Sequence, residues 1–161
     1  MPLPGEGGHY RETYRSPVRI PGNGLPSTYG GPRQASTAIY YLLTSDTFSA
    51  MHRLRGDEIF HFYLGDPIEM RHLRPDGTGA VLTLGTAPHE GLLPQIVVPA
   101  GVWQGARMAG RSGDAPRRRW ALLGCTVAPG FEFEDFELGK RDALLGAYPA
   151  YAEMIRSLTR D

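Results

Sequence analysis

The sequence predicts an all-β protein with a single domain, built as an antiparallel sandwich or barrel. Glycine and proline are abundant, with 21 and 14 residues among 161, and they are spread along the whole chain. This distribution is typical of many turns between short strands. Runs rich in β-branched and aromatic residues recur at intervals of roughly 8–12 residues, which is the strand spacing of such folds. The length suits one domain with its own core.

Eight strands are predicted from these runs and from the turns between them. Gly65-Asp66-Pro67 and the segment from Arg74 to Gly77 mark two hairpin turns. The predicted strands cover residues 36–43, 47–52, 58–64, 68–73, 80–84, 95–98, 101–107 and 120–127. Aromatic and acidic residues also alternate from Phe131 to Glu137, which suits a half-buried edge strand.

The two ends of the chain differ from this strand-rich middle. Residues 1–35 are rich in glycine and proline, and we expect an irregular segment that packs on a barrel of residues 36–138. Residues 139–161 are expected to be helical, because Pro149 is well placed at a helix start. Apolar residues follow it at helical spacing, namely Tyr151, Met154, Ile155 and Leu158. This stripe predicts a short C-terminal helix that packs on the barrel, with partner binding as the alternative.

Charge and cysteine content argue against several classes of function. Lys plus Arg and Asp plus Glu both number 17, so the basic footprint of a nucleic-acid-binding protein is absent overall. The run Arg117 to Arg119 is expected to be a solvated loop or strand end. The only cysteine, Cys125, cannot form an intramolecular disulfide, and no apolar run approaches the length of a membrane span. We therefore expect a cytoplasmic protein that binds neither nucleic acid nor membrane.

Two motifs carry the chemistry that the sequence suggests. In the first, His52 is followed by Glu58, and six residues separate Glu58 from Gly65. The second runs from Pro99 to Gln104 and follows Gly91. Together they resemble the paired signature of cupins, and the nearest match is the small single-domain subgroup long described as a domain of unknown function. The resemblance covers nearly the full length. It implies a double-stranded β-helix, the cupin jelly-roll barrel, with an internal pocket and a homodimeric assembly.

The chain departs from the cupin pattern at two of the four usual metal-ligand positions. His52 and Glu58 match, whereas Leu54 and Gln104 stand where the family has histidines. One imidazole, one carboxylate and one amide oxygen form a weak set for a transition metal, which imidazoles normally hold. His61 would add an imidazole; strict strand alternation places it on the opposite face, and a β-bulge would turn it inward, so the sequence leaves its face open, as it does that of Tyr63. A site in which His52, Glu58 and Gln104 hold a divalent metal (Zn, Fe, Ni or Mn) is therefore the second prediction, behind a metal-free pocket for acid–base chemistry.

His52 and Glu58 are the predicted catalytic residues, because an imidazole beside a carboxyl group can transfer protons. Such a pair suits isomerisation, epimerisation, cyclisation or a lyase-type decarboxylation of a small polar metabolite. The predicted substrate-binding residues are Gln104, Phe60, His61, Tyr63, Trp103, Tyr10 and Glu12. A mainly apolar pocket with a few polar groups is the general form of a small-molecule site. A cupin that binds its ligand without turnover and a metal-dependent cupin enzyme remain as alternatives.

Overall fold

The computed structural model describes residues 1–110 and 119–160, and within them two five-stranded antiparallel sheets enclose a common core. In chain order the strands are β1 His9–Arg15, β2 Arg19–Ile20, β3 Arg33–Gln34, β4 Thr37–Thr44, β5 Ser49–Leu54, β6 Asp57–Gly65, β7 Ile68–Leu73, β8 Gly79–Leu84, β9 Gln95–Val98, β10 Trp103–Met108, β11 Trp120–Ala128 and β12 Phe136–Leu138. The first sheet has the order β1-β4-β11-β6-β9 and the second β12-β5-β10-β7-β8, while β2 pairs with β3 alone.

All eight predicted strands are present, and their ends differ from the prediction by at most two residues. The all-β barrel is thereby confirmed. The N-terminal segment differs from the expectation, because His9–Arg15 forms β1 and pairs with β4 at the edge of the first sheet. Gly8 and Pro17 flank this run rather than interrupt it, so the backbone donors of β1 remain available to its neighbour. Arg117 and Arg118 of the basic run lie outside the described residues.

The C-terminal part contains two short helices, α1 (Arg141–Ala147) and α2 (Ala152–Ser157), where the sequence predicted one. Pro149 separates them, since proline cannot continue the hydrogen bonding of a preceding helix. The predicted apolar stripe is nevertheless buried at Met154, Ile155 and Leu158, and Tyr151 is half-buried. The stripe packs with Trp103 and other residues in a second hydrophobic cluster, outside the barrel interior. Neither helix of residues 119–160 has the length or apolar character needed to cross a bilayer.

The barrel core lies between the two sheets and is made mainly by alternate residues of β4, β6, β7, β8, β9, β10 and β11. Leu43, Phe60, Met70 and Leu123 come from four different strands and are all at least 98% buried. Alternate residues of a strand point to opposite faces of its sheet. The inward face of β6 therefore carries Glu58 in line with Phe60, which brings a carboxyl group into the barrel.

Candidate functional site

A cavity of about 120 Å³ lies inside the barrel and has a polar inner end. At that end the side chains of Glu6 and His52 are 7% and 3% exposed, whereas Glu12 and Glu132 at the mouth are 43% and 42% exposed. Aromatic side chains form much of the wall between the two ends, namely Tyr10, Phe60, Phe131, Phe133 and Phe136. The cavity thus has the apolar wall and few polar groups that are common in small-molecule sites.

His52 is held at the inner end by contacts with both of its ring nitrogens. Nδ1 lies 2.7 Å from the carbonyl oxygen of Ala50. Because a carbonyl oxygen can only accept, Nδ1 carries a hydrogen. Nε2 faces one carboxyl oxygen of Glu6 at 3.9 Å and one of Glu58 at 4.0 Å. The ring also stacks on Phe136, with 5.2 Å between the ring centroids.

The two carboxyl groups raise the pKa of His52. Burial alone lowers the pKa of His52, but the nearby carboxyl groups of Glu6 and Glu58 and the hydrogen bond to the Ala50 carbonyl outweigh it and raise this pKa to about 9. Burial raises the pKa of Glu6, although the charge of His52 and a hydrogen bond from Ser49 act against it. His52 is therefore an imidazolium at neutral pH.

Glu6 reaches the barrel from the chain that precedes β1. Gly7 and Gly8 both have positive φ angles, 104° and 68°, which favour glycine. A Cβ atom on Gly8 would lie 2.7 Å from the hydroxyl oxygen of Tyr41, so the turn also needs glycine for space. The Glu6 carboxyl accepts hydrogen bonds from Tyr41 at 2.9 Å and Ser49 at 2.6 Å. This turn fixes a second carboxyl group beside His52.

Glu58 is held by Gln104 across the barrel interior. Gln104 lies opposite His52 in the pairing of β10 with β5, and its Nε2 donates to Glu58 Oε2 at 2.6 Å. Cys125 lines the same cavity, and burial, followed by the charges of Glu58 and Glu6, raises the pKa of its thiol. The thiol therefore stays protonated at neutral pH.

The relatives of this chain agree with the architecture. The sequence model of the family described as Cupin superfamily (DUF985) matches residues 1–139. The chain belongs to the cupin superfamily. This cupin is 33% identical to the uncharacterised protein YML079W of Saccharomyces cerevisiae over 138 residues, which are 81% of this chain and 66% of the yeast protein.

Two solved structures show the same fold at full length. Protein SO0799 from Shewanella oneidensis has 35% identity and a TM-score of 0.81, with 96% of this cupin and 88% of that chain covered. A hypothetical protein from Leishmania major has 28% identity and a TM-score of 0.87, with 100% and 93% covered. Cupins include enzymes and binding proteins, so membership by itself supports no specific activity.

The residues of this cupin do not fit the metal of the wider superfamily. Gln104 presents its amide N–H to Glu58, and an amide N–H is not a metal ligand. The amide oxygen of Gln104 is buried, and no described residue hydrogen-bonds to it. Leu54 fills the second imidazole position and lines the cavity. Among residues 1–110 and 119–160, no group of three or more His, Cys, Asp or Glu side chains could hold a metal ion.

The predicted binding residues fall into two groups. Tyr10, Glu12 and Phe60 line the cavity, and Gln104 contacts Glu58 behind it. The other predicted residues, His61, Tyr63 and Trp103, lie outside the cavity lining.

Strand alternation explains the second group. His61 and Tyr63 stack on the outer face of the first sheet, where His61 Nε2 lies 3.2 Å from Thr126 Oγ1. Trp103 faces the C-terminal helices, and the Arg53 guanidinium lies 4.5 Å from its ring centroid. The register of β6 and β10 that turns Phe60 and Gln104 inward turns these side chains outward.

Sequence reasoning missed Glu6, which lines the cavity, and His72, a buried imidazole that is not part of the cavity lining. Glu6 is a single acidic residue within a glycine-rich turn, and this is the only feature of the local sequence that marks it as a candidate site residue. His72 follows Ile68 and Met70 on the inward face of β7, where an imidazole replaces an expected apolar residue. Burial, followed by the charge of Arg74, lowers the pKa of His72 to about 4, so it is neutral at neutral pH.

The fold is expected to lose stability as the pH rises from 6.5 to about 9. His52 titrates near 6.5 when unfolded and near 9 when folded, so its contribution is complete below the first value and lost through the second. The loss is on the order of 3 kcal/mol in the free energy of unfolding. Urea unfolding at the two ends of this pH range measures it.

Two variants serve as controls for this pH dependence. Glu6→Gln removes the negative charge that most raises the pKa of His52, so its loss of stability over the range should be clearly smaller. Glu137→Gln changes an exposed carboxylate that pairs with Arg53, and it should follow the native protein. A native free energy of unfolding that stays constant over the range would contradict the assignment of the charge to His52.

Proposed function

We propose that this cupin binds a small carbonyl or hydroxyl compound in the barrel cavity and moves a proton on one of its carbon atoms. The observation that carries the proposal is the buried ring of His52, whose Nε2 faces carboxyl oxygens of Glu6 and Glu58 at 3.9 and 4.0 Å. An acid and a base thus lie side by side at the end of a mainly apolar cavity.

The space beside His52 suits one oxygen atom of a ligand. The two distances exceed those of hydrogen bonds, which are about 2.7–3.2 Å for N–H···O contacts. An oxygen atom between the three groups could accept from Nε2–H, and a hydroxyl could also donate to a carboxylate. A carbonyl or hydroxyl oxygen therefore matches the inner end of the cavity.

The residues around His52 favour different roles for the two carboxyl groups. Glu6 accepts from Tyr41 and Ser49, and burial raises its pKa, so its main effect is to keep His52 charged. Glu58 is oriented by Gln104 and lines the cavity, which makes it the better base. His52 is then the acid that hydrogen-bonds the substrate oxygen.

The proton transfer balances without a further reactant. Glu58 takes a proton from the carbon next to the carbonyl carbon, and the electron pair of the broken C–H bond forms a C=C bond. The carbonyl π electrons move to the oxygen, which takes the Nε2 proton of His52. Glu58 then returns the proton to the former carbonyl carbon, the C=C electrons forming the new C–H bond, while the hydroxyl on the first carbon gives its proton to Nε2 of His52 and becomes the new carbonyl group. The result is isomerisation of an α-hydroxy carbonyl compound, with both residues restored. This chemistry needs only the acid and base that the chain supplies.

Proton exchange with deuterated water tests the proposal. The native protein would be mixed with α-hydroxyketones such as dihydroxyacetone and α-hydroxyacetophenone, and NMR would follow deuterium at the carbon beside the carbonyl group. We expect saturable exchange above the buffer rate for a compound that also shifts the ring resonances of His52. A compound that shifts those resonances and exchanges only at the buffer rate would contradict enzyme action and favour a cupin that binds without turnover.

A further inference from the structure

The charged residues that line the cavity have an excess of negative charge. Four carboxyl groups line it among the described residues, Glu6, Glu12, Glu58 and Glu132, against one guanidinium and the His52 imidazolium. The formal sum is one or two negative charges, depending on whether Glu6 carries a proton. An anionic ligand entering this space would meet carboxylates at both ends, which is unfavourable in a partly buried site.

Arg15 is not available to bind an incoming anion, because its guanidinium is already bound to carboxylates of the mouth. Its Nε donates to Glu12 at 3.1 Å, and its two terminal nitrogens donate to Glu132 at 2.7 Å and Glu12 at 2.9 Å. The second terminal nitrogen also contacts the Phe131 carbonyl oxygen at 3.4 Å. Recognition of a ligand carboxylate or phosphate by arginine normally uses two parallel N–H groups, and here both edges of the guanidinium are taken.

The mouth has instead the features that bind a cation. Glu12 and Glu132 carry negative charge there, and aromatic rings line the adjacent wall, with Phe131 and Phe133 in edge-to-face contact at 5.2 Å between centroids. Aromatic faces beside carboxylates attract ammonium groups. At the inner end, the Nε2–H of His52 can donate to an oxygen acceptor of the ligand, whereas an ammonium group has no acceptor to offer it.

We infer, as an extension of the proposed function, that the cavity selects an amino alcohol or amino ketone and excludes carboxylates and phosphates. The oxygen of the ligand lies at His52, and its amine lies at the mouth beside Glu12 and Glu132, whose two carboxylates exceed the single charge of Arg15. The enclosed volume of about 120 Å³ is somewhat below that of an apolar protein cavity of about 150 Å³ that holds benzene, so it takes about one ring, and the amine extends into the partly exposed mouth.

Three probes of one shape test this selectivity on the intact protein. They are para-hydroxybenzylamine, para-hydroxybenzyl alcohol and para-hydroxybenzoate, which differ only in the group at the mouth. Calorimetry at neutral pH and low salt should show the amine binding about tenfold or more tightly than the carboxylate, with the alcohol between them. High salt should reduce the difference, because the mouth residues are partly exposed.

The double variant Glu12→Gln with Glu132→Gln frees Arg15 and should reverse the order, so that the carboxylate binds more tightly than the amine. Glu137→Gln removes a carboxylate that pairs with Arg53, and it should keep the native order. Equal binding of amine and carboxylate by the native protein, an unchanged order in the double variant, or no binding of any probe would overturn the inference. Saturable deuterium exchange with a non-amine ketone in that case would leave the proposed function standing.

Discussion

Replacing Glu58 with glutamine is expected to lower proton exchange on a substrate by roughly 10²–10⁴-fold, the usual contribution of a general base. Glutamine has the shape of glutamate but cannot take a proton from carbon. Its carbonyl oxygen can still accept the N–H of Gln104, which now donates to Glu58 at 2.6 Å, so the cavity should keep its form. Deuterium incorporation at saturating ligand measures the loss, and urea unfolding checks that the fold is retained.

Glu6→Gln should behave differently, because Glu6 acts through His52. Loss of its charge lowers the pKa of His52 from about 9, so the alkaline limb of the pH–rate profile should move to lower pH. The rate below that limb should fall much less than in Glu58→Gln. If Glu58→Gln retained at least half of the native exchange rate, or if both variants lost rate equally at every pH, Glu58 would not be the base.

The barrel could be predicted because its sequence signals are local. Gly65 and Gly101 of the two motifs have positive φ angles of 103° and 78°, which few other residues adopt. A Cβ atom on Gly65 would also collide with the carbonyl oxygen of Trp120. Turns with such requirements leave a clear pattern in one sequence, and the strands between them follow from composition.

The candidate site could be predicted only in part, because half of it is assembled from distant residues. His52, Glu58 and Gln104 follow from the motif spacing. Glu6 hydrogen-bonds with Tyr41, 35 residues away, and with Ser49, 43 residues away. The residues next to Glu6 in the sequence give no signal of these contacts. The sequence also left open which barrel face a given aromatic residue takes, since that depends on the register of each strand.

The outer wall of the cavity shows the same dependence on distant contacts. The stretch from Phe131 to Glu137 alternates like an edge strand, yet Phe133–Asp135 forms a 3₁₀ turn, and only Phe136–Leu138 pairs with β5. Asp135 in this turn is 6% exposed and bonds to Arg33, which is 2% exposed, through two hydrogen bonds of 2.6 and 2.8 Å. This buried ion pair holds the aromatic wall against the N-terminal segment.

Asp135→Asn is therefore expected to lower the free energy of unfolding by about 3 kcal/mol, because it leaves a buried guanidinium without its main counter-charge. Exposed Glu134 also lies 2.7 Å from Arg33 and compensates in part, which sets the expectation at the low end of the usual range. Urea unfolding measures the change. Ligand affinity should fall as well, since Phe131, Phe133 and Phe136 lose their anchor.

Two further variants separate the buried pair from general effects of charge. Glu134→Gln removes an exposed partner of the same guanidinium and should cost less than about 1 kcal/mol. The double variant Arg33→Met with Asp135→Leu removes both buried charges, and it should be more stable than Asp135→Asn alone, because no unpaired charge remains in the interior. If Asp135→Asn cost no more than Glu134→Gln, the ion pair would not be what holds the wall of the cavity in place.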